Sequence, residues 1–349
     1  MKRGGFPGKE CCKKFFLHYI TGNNLNPQEK IRMNIEHSYP FDPTNGKTLS
    51  ELLQIQPGKE APDFRSFWEE NYELTMAMRP TYYIEKEIWS PDPSVRIYQI
   101  RAKNFDNHEF SMWISRPEKS AGGILCGQGY GNPSTPPNTA GVTYCYPCVR
   151  GLGISQCKEI PWLAKKHVLH GIASKETYSL RGVVSDLWMA ASVMLDMFPD
   201  TAEHLAYTGA SMGGGMGALM LPWDKRFHAA YLGVPTFGAP CRFDYESIGS
   251  GEACRLYLKD HPEALEVLQY FDASVSAKYL DKIPVAVAPA QFDPCVNPVG
   301  QFSVANAIPP EKKTLFIRET GHFEATENDK ASQHEIDQWN KKYIWNEEV

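Results

Sequence analysis

The run Leu205-Ala-Tyr-Thr-Gly-Ala-Ser-Met-Gly-Gly-Gly215 constrains this chain more than any other segment. It reads as a short apolar strand, a serine with glycines two residues away on either side, and the opening of a helix. A serine at the apex of so tight a turn takes a strained backbone conformation, and its neighbours two positions away must lack a Cβ to avoid collision. Gly209 and Gly213 meet that requirement. The helix that follows aims its free N–H groups and positive dipole end at the space above Ser211, where an oxyanion would develop during acyl transfer. The segment is a nucleophile elbow by pattern. A plain glycine-rich turn can show the same spacing, so the residues downstream carry the argument further.

Two later positions supply an acid and a base in the order such a serine needs. Ile283 to Ala290 is a short apolar strand, and Gln291-Phe-Asp-Pro294 follows at its carboxyl end, which makes Asp293 the acid candidate. Thr314 to Arg318 reads as another strand, and Glu319-Thr-Gly-His322 turns out of it, which makes His322 the base candidate. Catalytic groups gather outside the carboxyl ends of strands in open α/β sheets, and all three residues sit there. Ser211 would attack a carbonyl, His322 would take and return the proton, and Asp293 would fix the imidazole tautomer. Taken singly, Asp-Pro is a common turn opener and Gly-His a common loop pair. The rivals fit less well: His228 opens a strand, His261 precedes a proline, His334 falls in a C-terminal helix, and Asp260 and Asp272 read as helix caps.

The rest of the chain is organised around that sheet. Pro62 to Leu74 carries Phe64, Phe67, Trp68 and Tyr72 near helical spacing behind Asp63, and predicts an amphipathic helix. Thr81–Trp89, Val95–Arg101 and Phe110–Ser115 predict an antiparallel opening of three strands, followed by core strands at Gly122–Cys126 and Thr143–Val149 and a helix over Val183–Phe198. From there strands and helices alternate, so the expected class is α/β, a doubly wound, mostly parallel sheet with antiparallel N-terminal strands, in one domain over residues 41–349. Residues 1–40 are basic at the start and aperiodic, and are expected to be a loosely ordered extension; Phe15-Phe-Leu17 is far too short for a signal-peptide core.

Charge and cysteine content narrow the partners. A net charge of −5 leaves no basic footprint for nucleic acid, and no apolar run approaches the roughly 18 residues that span a bilayer. Nine cysteines, an odd number scattered through strands, suit a reducing compartment and a cytoplasmic location. Cys145-Tyr-Pro-Cys148 lies within a strand, not at a helix start, which argues against redox chemistry. The expected partner is a small, roughly neutral molecule.

From about Phe41 onward the chain resembles the acetyl xylan esterase and cephalosporin C deacetylase family of α/β-hydrolases. The resemblance rests on Asp63-Phe-Arg-Ser-Phe-Trp68, Gly129-Tyr-Gly131, Arg150-Gly151, Arg181-Gly-Val183 with Asp186, Gly209-Ala-Ser-Met-Gly-Gly-Gly215, Tyr270-Phe-Asp272, Phe292-Asp-Pro294 and Gly321-His322. It implies an α/β-hydrolase fold, removal of small acyl groups from sugar and related esters without metal or cofactor, and a homo-oligomer. It also implies Ser211, Asp293 and His322 as the triad, with the backbone N–H groups of Tyr130 and Met212 as the oxyanion hole. Departures lie around that centre: Met212 and Phe323 stand where the family carries glutamine and glutamate, Leu152 follows Arg150-Gly151 in place of glutamine, and Gln128 replaces a histidine. Tyr130, Met212 and Phe323 are therefore expected to line a short apolar acyl pocket, with core packing as the competing role of the last two. The leading expectation is a serine carboxylester hydrolase acting on acetyl-like esters. The alternatives are a non-hydrolytic binding module on the same fold, or a thioesterase, acyltransferase or peptidase using the same triad.

Overall fold

The computed structural model describes residues 35–131 and 138–347. Of the expected N-terminal extension, residues 1–34 lie outside the described residues. The strands are β1 Thr81–Ile88, β2 Val95–Lys103, β3 Glu109–Pro117, β4 Gly123–Gly127, β5 Thr143–Cys148, β6 Leu205–Ala210, β7 Ala229–Gly233, β8 Val285–Ala288, β9 Ala290–Phe292, β10 Lys313–Leu315 and β11 Arg318–Thr320. Nine form one sheet in the order β1-β2-β3-β5-β4-β6-β7-β8-β10. The pairs from β1 to β5 are antiparallel, and every pair from β5 through β4 to β10 is parallel.

Sequence explains most of this layout. The antiparallel strands show partial alternation, as in β2, where Val95, Ile97, Ile100 and Ala102 are buried, Ile100 and Ala102 in the main core, and Arg96 is exposed. The parallel strands are buried on both faces and so read as near-continuous apolar runs, as in β8 with Val-Ala-Val-Ala. The strand expected over 283–290 is broken at Pro289, which has no N–H to donate to the ladder. Its two parts, β8 and β9, pair in parallel with β10 and β11, and Arg318 N donates to the Pro289 carbonyl across the break (2.9 Å).

The helix over Ser179–Met197 starts one turn earlier than its apolar periodicity predicts, and Ser179 Oγ donates to the His167 carbonyl. The helix over Phe64–Met76 packs on it through Trp68 and Trp188, whose rings meet edge to face at 6.2 Å. Each indole N–H has a carbonyl partner, Tyr270 O for Trp68 and Met220 O for Trp188, which makes their complete burial affordable in polar terms. Asp63 does not cap its helix; its carboxylate bonds Lys175 Nζ (2.6 Å) and the Tyr270 hydroxyl instead. Asp272 caps the helix over Ala273–Ala277, whereas Asp260 is the last residue of the helix over Ser250–Asp260 and caps nothing.

Candidate active site

Ser211 stands between β6 and the helix over Met212–Met220 with φ 57° and ψ −122°. A non-glycine residue held there costs on the order of 1–3 kcal/mol and persists only where its surroundings fix it. They do: Ser211 N donates to Gly233 O (3.0 Å), and its carbonyl accepts from Gly215 N, Thr236 N and Thr236 Oγ1 at 3.1–3.2 Å. The flanking glycines are steric necessities. A Cβ on Gly213 would lie 2.1 Å from Gly127 O, and one on Gly209 would lie 2.7 Å from the backbone of Gly213.

Strand register brings Asp293 and His322 together. Thr320 of β11 pairs with Phe292 of β9, and Gly321 N then donates to Phe292 O (2.9 Å), so the residues that follow in the two strands, His322 after Gly321 and Asp293 after Phe292, leave the sheet side by side. A Cβ on Gly321 would fall 2.0 Å from Asp293 Oδ2, so only glycine permits this approach. His322 Nδ1 is 2.8 Å from Asp293 Oδ2 and His322 Nε2 is 2.9 Å from Ser211 Oγ. An ionised carboxylate only accepts, so Nδ1 carries the proton and Nε2 accepts from the serine hydroxyl. The His322 loop is braced by Asp329, which accepts from Glu319 N, Thr320 N and Thr320 Oγ1.

Burial pulls the His322 pKa down, but the hydrogen bond and charge of Asp293 outweigh it and leave the pKa above the ordinary 6.5. A general base must be neutral to accept a proton, so kcat/KM on a neutral ester is expected to rise with pH through a midpoint above 6.5. Asp293→Asn removes the charge that raises the pKa, and the midpoint should move down as kcat falls. A pH–rate profile with an unmoved midpoint in the variant would contradict the assignment.

Cys295 Sγ also lies near this pair, and the ligand atoms of Asp293, Cys295 and His322 fall within 4.8 Å of one another. The trio does not fit a metal site. The Asp293 carboxylate already accepts from Cys295 N, Val296 N, Gln301 Nε2 and His322 Nδ1, which fills its four lone-pair positions. Gln301 gives little signal in the sequence: it is one of two amides, with Asn306, in the otherwise largely apolar helix Pro298–Ala307, where it is fully buried.

The structure places Met212 at the first position of its helix, where an N–H has no intrahelical partner. Its side chain is buried in the main core, consistent with packing. The Gly129-Tyr-Gly131 loop runs beside Ser211, close enough that a Cβ on Gly129 would lie 4.0 Å from Ser211 Cβ. Phe323 packs edge to face on Phe292 at 5.0 Å and against Tyr39 at 6.3 Å, and His37 also meets Phe292, so residues 37–41 cover this side of the histidine loop. A cavity beside Ser211, His322 and Asp293 is lined by other groups, among them Thr236, Phe237, Arg242, Cys295, Val296 and Asn297. None of Tyr130, Met212 or Phe323 lines it. These lining residues come from segments some sixty positions apart and carry no motif that marks them in the sequence.

Residues 47–343 match the acetyl xylan esterase (AXE1) family. The chain belongs to that family. Acetyl xylan esterase 1 from Thermoanaerobacterium sp. JW/SL YS485 superposes with a TM-score of 0.70 at 16% identity, over 86% of this chain and 98% of that one. Acetyl xylan esterase from Paenibacillus sp. R4 gives 0.67 at 19% identity, over 85% and 100%. A prolyl endopeptidase shares the fold more distantly, with a TM-score of 0.51 at 20% identity over 71% of this chain and 36% of its own. The protein is thus a carboxylic ester hydrolase of the α/β-hydrolase fold.

Proposed function

We propose that Ser211, His322 and Asp293 act as the catalytic triad of an esterase that removes acetyl-sized acyl groups from sugar or small-alcohol esters. The unbroken chain of bonds from Ser211 Oγ through His322 to Asp293 carries this reading. His322 takes the serine proton as Oγ attacks the ester carbonyl, and returns it to the departing alcohol; water then cleaves the acyl-enzyme by the reverse sequence. The backbone N–H groups of Tyr130 and Met212 hold the oxyanion, since Ser211 N–H is already committed to Gly233 O. A binding module would have no need to hold a serine in a strained conformation against a neutral imidazole.

The alcohol or acyl group lodges in the cavity edged by Thr236, Phe237, Cys295 and Val296. Its apolar edges suit an acyl group, and a cavity of about 30 Å³ leaves no room for a long chain. Each methylene is worth about 1–3 kcal/mol of discrimination in such a site, so kcat/KM should fall from p-nitrophenyl acetate to butyrate to octanoate. A steady rise along that series would overturn the small-acyl reading, and the same comparison on acetylated sugars tests the alcohol.

A cytoplasmic location is supported by the cysteines, since all seven among the described residues are free. Burial pushes the Cys145 and Cys148 thiols up, the latter to about 11, which leaves this pair unsuited to redox exchange. No helix among the described residues is long and apolar enough to cross a membrane. The partner is a small ester, and homo-oligomerisation belongs to the same proposal.

A further inference from the structure

The oxyanion loop poses a mechanical problem. Tyr130 sits between Gly129 and Gly131, the two residues with the greatest backbone freedom, yet an oxyanion donor works only if its N–H is held in place before charge develops. Two side chains tie the loop to the segment around Arg150. Gln128 Oε1 accepts from Val149 N (3.2 Å), and the Tyr130 hydroxyl lies 3.2 Å from His167 Nδ1, with the two rings edge to face at 5.5 Å.

His167 is built to be an acceptor for that hydroxyl. Its Nε2 lies 3.1 Å from the Arg150 carbonyl, which can only accept, so Nε2 carries the proton and Nδ1 presents a lone pair. The ring is fully buried, and burial pulls its pKa down to about 4, which keeps it neutral in the working range. The main chain of His167 is fixed in turn, because its carbonyl accepts from Ser179 Oγ. Arg150 is the anchor at the far end: its backbone N and guanidinium bond Asp186, and the guanidinium also bonds Asp106. A rigid line therefore runs from a buried ion network to the residue beside the nucleophile.

We infer that His167 is a positioning residue for catalysis, holding the Tyr130 phenol so that the Tyr130 main chain keeps its place in the oxyanion hole. The inference rests on Tyr130 N–H being an oxyanion donor. His167 touches neither substrate nor the reacting atoms, and its effect passes through one hydrogen bond. Losing that bond should loosen the donor without removing it. The loss should then be about tenfold in kcat, well short of the roughly 10²–10³ typical of deleting a donor.

A double-mutant cycle on p-nitrophenyl acetate tests this. Tyr130→Phe and His167→Leu should each lower kcat about tenfold with KM changed less than twofold, and the double variant should be no slower than either single. His167→Gln should restore most of the kcat, because its amide can donate to Arg150 O while its oxygen accepts from Tyr130. Losses that multiply to about a hundredfold in the double variant, or an unchanged kcat in Tyr130→Phe, would overturn the inference. If His167→Leu does not fold, Tyr130→Phe carries the test by itself, since it removes only a hydroxyl: a tenfold loss of kcat with KM held supports the inference, and an unchanged kcat overturns it. Failure of the esterase assignment itself looks different: the wild-type protein would then turn over no ester at all.

Discussion

Ser211→Ala is expected to lower kcat by about 10⁴ to 10⁶ while leaving the fold and substrate binding nearly intact, because nucleophile and base act as a unit. The wild-type protein should take up one fluorophosphonate on Ser211, visible as an adduct by mass spectrometry, and the variant none. The geometry sets this expectation. Ser211 Oγ is the group bonded to His322 Nε2, and Ser211 sits at the carboxyl end of β6 with a strained φ of 57°. Alanine tolerates that conformation no better than serine, and the clamps on the Ser211 backbone from Gly233, Gly215 and Thr236 do not involve Oγ. Thermal stability should therefore change little. Labelling at another residue, or a variant that keeps more than about a hundredth of the wild-type kcat, would remove Ser211 from the chemistry.

What made Ser211, Asp293 and His322 legible from sequence was local. An elbow must carry glycines at fixed offsets, and strand ends announce themselves by apolar runs that stop at turn residues. The register of β9 on β11, which sets Asp293 beside His322, depends on the same short strands. The cavity beside these residues is not legible for the opposite reason. Thr236 and Phe237 follow β7, Arg242 lies in a short turn beyond them, and Cys295 to Asn297 follow β9, so their meeting depends on the order of strands in the sheet. Nor does sequence reveal that β5 slots between β3 and β4, which joins the antiparallel half to the parallel half. Phe323 stands next to His322 in sequence, but adjacent residues of a loop point in different directions, and only the fold shows that its ring packs on Phe292 and Tyr39. His167 gave no signal at all. It sits after two lysines in Lys165-Lys166-His167, a stretch that reads as a solvated helix face, and only the fold shows the ring buried under Tyr130.

Asp186→Ala is expected to cost about 3–5 kcal/mol of stability, the range for breaking a buried ion pair from one side. Its side chain is wholly buried and accepts from Arg150 N, Nε and Nη2 and from Asn104 Nδ2. Removing it strands a guanidinium that has no room to turn away: a Cβ on the neighbouring Gly182 would lie 2.1 Å from Arg150 Cζ, so the helix over Ser179–Met197 is already pressed against that group. Asp106, the other carboxylate on Arg150, is a third exposed, and its removal should cost less because water can replace it. The denaturant midpoint should fall in the order wild type, Asp106→Ala, Asp186→Ala, with the slope unchanged. Replacing both charges with apolar residues, as in Arg150→Met with Asp186→Leu, should recover part of the loss, since the penalty comes from the unpaired ion and not from the missing attraction. A double variant as unstable as Asp186→Ala would mean that packing around Gly182, not charge, sets the cost. Because the Arg150 carbonyl holds His167, and His167 holds Tyr130, Asp186→Ala should also lower kcat in the protein that remains folded. A kcat unchanged at a temperature well below its midpoint would separate the ion network from the oxyanion loop.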